Sequence, residues 1–267
     1  MSKPQAGLWS GGDAYEKYMG RWSRRIAPDF LDWLAIPPNA GWIDIGCGTG
    51  VLSSAILTKC VPNRVVGIDP SEAFIAAARS QIGDRRFQCL QGNGEALPSA
   101  DAAFTVAVCG LVLNFVGDKT RAVAEMIRVV RPGGTVALYV WDYAGHMQIM
   151  RYFFDVASEM DIGAREFDDG VKAPICRPGP LSRLFEEAGL ADIAVRGIDI
   201  PAAFENFDDY WTPFLGGTGS APKYCASLSS NARSQLREKL RSRLPTGPDG
   251  EILLAVRAWA IKGRVPE

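Results

Sequence analysis

The chain has 267 residues, enough for one large hydrophobic core, and its 47% hydrophobic content excludes a mainly disordered protein. A formal net charge of −1 and a pI near 6.0 predict no basic surface for nucleic acid, so nucleic acid is not expected as a partner. Six cysteines without a C-x-x-C pair predict neither a zinc site nor a disulfide framework, and reduced thiols fit a cytoplasmic protein. The longest uncharged stretch, 102–117, is shorter than the roughly 20 residues of a membrane helix, so stable membrane insertion is not expected.

The first predicted element is a helix within residues 13–36. Tyr15, Tyr18, Met19 and Trp22 recur there at helical spacing. These side chains either pack into a core or cover a ligand cleft, and the spacing alone leaves both interpretations open.

The most informative run is 41–50, where an apolar strand turns through three alternating glycines into a helix predicted over 51–60. Glycines at a helix N-terminus let a ligand approach bare backbone. A dinucleotide fingerprint, G-x-G-x-x-G, would place its third glycine where Val51 stands. Asp44 would repel a pyrophosphate, whereas it suits a ligand with a cationic end such as S-adenosylmethionine (SAM). The alternative is a glycine turn with only a structural role.

A second acid, Asp69, ends a strand predicted over 64–68. At the carboxyl end of a parallel strand, such an acid can accept hydrogen bonds from both ribose hydroxyls of a nucleoside. The alternative is that Asp69 only caps the helix predicted over 70–80.

Four motifs in chain order resemble the class I SAM-dependent methyltransferases, within the small-molecule branch that includes the ubiquinone and menaquinone biosynthesis enzymes. They are the glycine turn 44–50, the strand end 67–71, the segment 91–98 and the Arg-Pro-Gly-Gly run 131–134. The resemblance spans about residues 38–141. It implies an α/β, Rossmann-like three-layer sandwich with a seven-stranded, mostly parallel sheet, an antiparallel last strand and helical lid insertions.

The resemblance also implies SAM as cofactor, S-adenosylhomocysteine (SAH) as product and a small-molecule acceptor. The implied cofactor-binding residues are Asp44, Gly46, Cys47, Gly48, Asp69, Pro70, Asn93, Gly94, Glu95 and Cys109, with Tyr15 and Arg21 reaching the methionine carboxylate from the N-terminal helix. One residue departs from the family pattern, because Asn93 stands where that branch commonly has aspartate. Its amide oxygen can still accept from an adenine amino group, but plain turn chemistry is the alternative.

The remaining elements complete one predicted methyltransferase domain. Strands are predicted over 87–90, 104–109, 135–141, 192–200 and 252–262, and helices over 118–130 and 180–188. The predicted core comprises about 38–141, 180–200 and 251–264, and the predicted lid and acceptor elements comprise about 13–36, 143–179 and 201–250.

The two later insertions are rich in aromatic residues and methionine, which either face an acceptor or form a helical core of their own. Within the second, 231–244 is a basic amphipathic helix. A docked helix with a solvated outer face is the favoured interpretation, and an anionic membrane or a partner is the alternative.

Methyl transfer is an in-line displacement that alignment and removal of water can accelerate, so a catalytic base is optional. His146, the single histidine, follows the strand ending at Trp141 and is the candidate base. The sequence therefore predicts a SAM-dependent methyltransferase acting on a small, largely apolar acceptor, with no metal. The alternatives are an NAD(P)-dependent oxidoreductase and a non-catalytic SAM-binding regulatory protein.

Overall fold

The computed structural model describes residues 19–217 and 219–267 as an α/β structure. The seven strands are β1 (Gly41–Ile45), β2 (Arg64–Asp69), β3 (Phe87–Gln91), β4 (Phe104–Gly110), β5 (Val130–Trp141), β6 (Ala191–Phe204) and β7 (Ile252–Arg264). The α-helices of the described residues are α1 (Arg21–Leu34), α2 (Val51–Lys59), α3 (Glu72–Gln81), α4 (Lys119–Val129), α5 (Gln148–Met160), α6 (Asp169–Lys172), α7 (Pro178–Glu187), α8 (Phe207–Trp211), α9 (Ser220–Ser227) and α10 (Ser230–Arg243).

All seven strands form one sheet in the order β3-β2-β1-β4-β5-β7-β6. The pairs among β1 to β5 are parallel, whereas β7 runs antiparallel to both of its neighbours, β5 and β6. The order reverses direction at β1, between β2 and β4, which is where open α/β sheets bind ligands. The predicted sheet with its antiparallel last strand is confirmed.

The centre of the sheet is buried on both faces because helices cover it. Every residue of β1 is buried, as expected for a central parallel strand. On one face, α1 buries Trp22, Ile26 and Phe30, which recur every four residues along the helix. The Phe30 ring lies 4.7 Å from the ring of Tyr139 on β5, so α1 packs directly on the strand that ends at the candidate cleft.

The sixth strand is longer than the sequence pattern indicated. Instead of ending near residue 200, β6 continues to Phe204, because β7 pairs with it as far as the Phe204–Ile252 pair. The predicted start of the second insertion, at 201, therefore falls inside a strand.

The aromatic residues of the two insertions largely pack against one another. Phe153 of α5 stacks on Phe214 with ring centroids 4.6 Å apart, and its edge meets Tyr224 of α9 at 6.2 Å. The Tyr210 hydroxyl donates a 2.9 Å hydrogen bond to the carbonyl oxygen of Ile149. These contacts give the insertions a joint hydrophobic core, which is the second of the two interpretations left open by the sequence.

The basic helix α10 docks on the same core. Leu236 and Leu240 are fully buried, and Arg237 pairs with Asp208 at 2.7 Å. Arg243 pairs with Glu159 of α5, also at 2.7 Å. Several of its positive charges are thus engaged within the protein. Among the residues that the structure describes, no helix combines the length and apolar character needed to cross a bilayer.

Candidate functional site

A cleft of about 880 Å³, including its open mouth, lies at the carboxyl ends of the central strands. The strands and the turns that follow them supply most of its wall, and residues of α1, α2 and α3 contribute to the remainder. The lining residues are Met19, Ser23, Asp44, Gly46, Cys47, Gly48, Thr49, Val51, Leu52, Asp69, Phe74, Gly110, Leu111, Val112, Phe115, Tyr139, Trp141 and Tyr143.

The glycine turn forms the floor of this cleft in a conformation that L side chains rarely adopt. Gly46, Gly48 and Gly50 have φ angles of 72°, 54° and 90°. A Cβ on Gly46 would lie 2.6 Å from the Val112 methyl carbons, so this glycine permits close packing against the loop that follows β4. A Cβ on Gly48 would meet nothing within 4 Å. Gly48 therefore presents bare backbone to open space, as a ligand-binding turn requires.

Asp44 is a buried acid at the end of β1 and is only 1% exposed. Its Oδ2 accepts a 2.7 Å hydrogen bond from the Ser53 hydroxyl of α2. Burial raises the pKa of Asp44 to about 7, the Ser53 hydrogen bond opposes this rise, and the nearby Asp69 carboxylate adds to it. A cation at this place would favour the ionised carboxylate and relieve the cost of burying it.

Asp69, at the end of β2, joins the glycine turn to the next helix. Its Oδ2 accepts a 3.0 Å hydrogen bond from the Gly48 amide, and its Oδ1 accepts a 2.9 Å bond from the Ser71 amide. Burial raises the pKa of Asp69, and these two amide hydrogen bonds oppose the rise. The helix cap is Ser71, whose hydroxyl accepts from the Phe74 amide, so Asp69 holds the turn while it lines the cleft.

The rest of the lining is largely apolar and aromatic, with Met19, Phe115, Trp141 and Tyr143 among its residues. Tyr143 is the only cleft residue from the segment predicted as 143–179, and no described residue of 201–250 lines the cleft. Met19 and Tyr143 belong to segments predicted as lid elements, whereas Phe115 and Trp141 were missed as cleft residues by sequence reasoning. The position of Tyr143 directly after a strand end was the one available signal.

Two strands meet closely at the apolar wall. A Cβ on Gly110 would lie 2.7 Å from the Tyr139 hydroxyl oxygen, and the two residues pair across β4 and β5. Glycine at this strand end therefore lets the Tyr139 hydroxyl reach the cleft.

The segment predicted to hold adenine does not line the cleft. Asn93 is exposed, and its Oδ1 accepts a 3.0 Å hydrogen bond from the Glu95 amide, which is the turn chemistry left open by the sequence. A Cβ on Gly94 would lie 3.0 Å from Ile45, so Gly94 packs beneath β1. Pro70 is also exposed and outside the lining.

Two predicted cysteines occupy different places. Cys47 lines the cleft, and burial together with the charges of Asp44 and Asp69 raises its pKa, so it stays a protonated thiol. Cys109 is buried in the core just below the strand end and is not a lining residue, and burial raises its pKa to about 12.

His146 lies outside the lining residues and its side chain is 55% exposed. Its amide donates a 2.8 Å hydrogen bond to Oδ2 of the buried Asp142, which fixes the turn after β5. This turn holds the His146 backbone through its amide while the imidazole remains accessible to solvent.

The Arg21 side chain does not line the cleft and contacts other residues instead. Its Nη1 pairs with Asp209 of α8 at 3.1 Å, and its guanidinium lies 4.6 Å from the centre of the Phe204 ring. Tyr15, its predicted companion, lies outside the described residues.

The family model described as a methyltransferase domain matches residues 43–138, the segment that contains the glycine turn, Asp69 and the end of β4. Residues 43–138 are thus similar to a methyltransferase domain. The family model does not match the N-terminal helix or the two insertions, which lie outside 43–138.

Curated relatives of this chain differ in their named substrates. The chain is 36% identical to the 2-phytyl-1,4-naphtoquinone methyltransferase of Thermosynechococcus vestitus over 40% of its own length and 49% of that protein. It is 25% identical to the trans-aconitate 2-methyltransferase of Deinococcus radiodurans over 80% of its length and 82% of that protein. The matched segment thus spans about half of the first of these relatives.

A solved structure shares the fold of this chain. Phosphoethanolamine N-methyltransferase 2 of Haemonchus contortus, in complex with phosphomonomethylethanolamine and SAH, superposes with a TM-score of 0.60 at 15% identity. The alignment covers 96% of this chain and 57% of that protein.

Proposed function

We propose that this domain transfers the methyl group of SAM to a small, largely apolar acceptor. One observation carries the proposal: a single cleft joins a buried carboxylate pair at the glycine turn to an apolar, aromatic wall. The acids suit a cofactor with a cationic end and a ribose, and the wall suits an acceptor with little charge.

The residues at the turn fit SAM. The open space over Gly48 would admit the ligand against bare backbone, and Asp44 would face the cationic methionine end. Asp69 retains acceptor capacity beyond its two amide hydrogen bonds, which is what two ribose hydroxyls require. When bound, SAM supplies an electrophilic methyl carbon on a positively charged sulfur.

The apolar residues of the cleft would exclude water and orient the acceptor. Met19, Phe115, Trp141 and Tyr143 exclude water from the site, and removal of water favours a step in which charge disappears. These walls would also orient an acceptor for in-line attack, and correct orientation lowers the barrier of such a displacement.

The side chains of the described lining suggest that no strong base is used. Its titratable groups are Asp44, Asp69, Cys47, Tyr139 and Tyr143. The two acids belong to the cofactor end and Cys47 stays protonated, so only the tyrosine hydroxyls remain for the acceptor. An acceptor that needs little proton removal therefore suits the cleft best.

The names of the relatives indicate which acceptors should be tested first. Relatives named for phytylnaphthoquinone and demethylmenaquinone match the domain, and a planar apolar ring is compatible with the aromatic wall. We propose a reduced naphthoquinone-type ring as the first acceptor to test, because its phenolic hydroxyl can lose its proton to water before the transfer. Trans-aconitate is the charged comparison.

Two further parts of the proposal concern the cellular compartment and the class of acceptor. The described cysteines are free, which supports a reducing compartment such as the cytoplasm. The near-neutral net charge supports a small-molecule acceptor over nucleic acid.

The experiment is methyl transfer from SAM labelled in its methyl group to a panel of naphthoquinols, catechols and small carboxylic acids. We expect label in an apolar acceptor, with inhibition by SAH. Binding of SAM without transfer to any member of the panel would favour the non-catalytic SAM-binding protein. Binding of NAD in place of SAM would favour the oxidoreductase.

A further inference from the structure

The loop 111–118 after β4 forms one side of the cleft through Leu111, Val112 and Phe115. Leu111 has a φ of 61°, an unfavourable backbone conformation for a residue with a side chain. Val112 packs against Gly46 so closely that a Cβ on that glycine would lie 2.6 Å from its methyl carbons. The position of this loop therefore determines the shape of the cleft above the glycine turn, and the loop carries strain that neighbouring contacts must hold.

Glu95 supplies such contacts from the segment after β3. Its Oε1 accepts hydrogen bonds from the amides of Gly117 at 3.0 Å and Asp118 at 3.1 Å. Its carbonyl oxygen accepts a 2.8 Å bond from Nε of Arg121 on α4. Glu95 is itself held, because its amide donates to Oδ1 of Asn93 at 3.0 Å.

The two amides bonded by Glu95 lie where the loop 111–118 enters α4. Asp118 is the N-cap of that helix, and its own carboxylate accepts from the Arg121 amide. A carboxylate that accepts two adjacent amides at a helix N-terminus is favourably placed with respect to the helix dipole. Glu95 thus fastens the loop end at a point with well-defined geometry.

Glu95 is not among the residues that line the cleft. Its carboxylate oxygen is directed at Gly117 and Asp118, away from the glycine turn. We propose that Glu95 is a positioning residue for the methyltransferase: it clamps the loop 111–118 so that Leu111 and Val112 present a preformed wall to the cofactor above the glycine turn. This inference rests on the proposed function in one respect, that the cleft binds SAM.

The hydrogen bonds of Glu95 increase the fraction of molecules in which the loop 111–118 lies against the cleft. Without them, the loop spends part of its time away from the cleft, and cofactor affinity falls by the fraction of molecules whose wall is in place. A lost charge-assisted hydrogen bond at a partly exposed position corresponds to about a five- to tenfold weaker affinity. The cofactor contacts themselves remain intact, so the loss is limited to that range.

The test uses calorimetric titration with SAH and hydrogen exchange of the Gly117 and Asp118 amides. Glu95→Ala removes the acceptor, and Glu95→Asp keeps the charge but withdraws it by one methylene group. We expect both variants to bind SAH about five- to tenfold more weakly and to exchange these two amides faster. Glu95→Gln retains an acceptor oxygen and should restore most of the affinity and protection.

Glu125 provides the matched control. Its Oε2 accepts a 2.7 Å hydrogen bond from the Leu97 amide in the same segment, and it pairs with Arg128, but it does not bond the loop 111–118. Glu125→Ala should lower the melting temperature and leave SAH affinity unchanged.

The outcomes separate the two proposals. Wild-type SAH affinity and unchanged amide exchange in Glu95→Asp would overturn the clamp, as would equal losses in Glu95→Gln and Glu95→Ala. Failure of the wild-type protein to bind SAH would instead overturn the proposed function.

Discussion

Replacing Asp44 by Asn tests the electrostatic basis of the site. Asp44 is fully enclosed and its pKa is raised from 3.8 to about 7, so the folded protein binds the carboxyl proton more tightly than the unfolded chain does. The protonated carboxyl therefore contributes stability that is fully present below about pH 4 and is lost as pH rises through about 7. Above that pH, the apoprotein holds a buried carboxylate at a cost.

The magnitude follows from the shift in pKa. A shift of about three units corresponds to about 4 kcal/mol across the full range, of which about 2 kcal/mol falls between about pH 5.5 and 8.5. Asn keeps the shape of Asp44 and can still accept from the Ser53 hydroxyl, but it carries no charge at any pH. We expect the apo Asp44→Asn variant to gain about 2 kcal/mol on the wild type between these two pH values.

The assay is urea unfolding of both apoproteins, followed by tryptophan fluorescence at several pH values. Comparing wild type with variant at each pH cancels the titration of every other group. A stability difference that is constant from about pH 5.5 to 8.5 would refute the reasoning. In the same variant, SAH affinity should fall and should lose its dependence on pH below about 7, because the cationic end of the ligand binds the ionised form of Asp44.

Three further substitutions address other parts of the site. Gly48→Val should abolish SAH binding in calorimetry, because its side chain would enter the open space of the turn from a φ of 54°, and retained affinity would exclude the proposed contact. Gly46→Ala should lower the free energy of urea unfolding by about 1–3 kcal/mol, because its methyl group would clash with Val112, and an unchanged unfolding midpoint would contradict this packing. His146→Ala should leave the rate of methyl transfer within about twofold, because its exposed imidazole lies outside the lining, and a large loss in kcat would restore it as the base.

The elements of the sheet could be predicted because their signals are local. The apolar run before Gly46 and the acid that ends β2 are visible in the sequence, and parallel strands bring their carboxyl ends to one edge. The structure accordingly brings Asp44, Gly48 and Asp69 into one cleft.

The rest of the site depends on tertiary packing that spacing does not encode. Phe74 and Phe115 reach the cleft from elements far apart in the chain, and neither stands in a motif. Glu95 belongs to a motif, but its hydrogen bonds to a loop more than twenty residues away show a role that the motif does not reveal. The imidazole of His146 follows a strand end as expected, but the Asp142 turn leaves it in solvent.

Calorimetric titration of the wild-type protein with SAH and, separately, with NAD tests the central claim most directly. The buried acids at the glycine turn favour a cationic ligand and oppose a pyrophosphate. We predict that SAH binds at micromolar concentrations and that NAD does not. Binding of NAD with no binding of SAH would contradict the account.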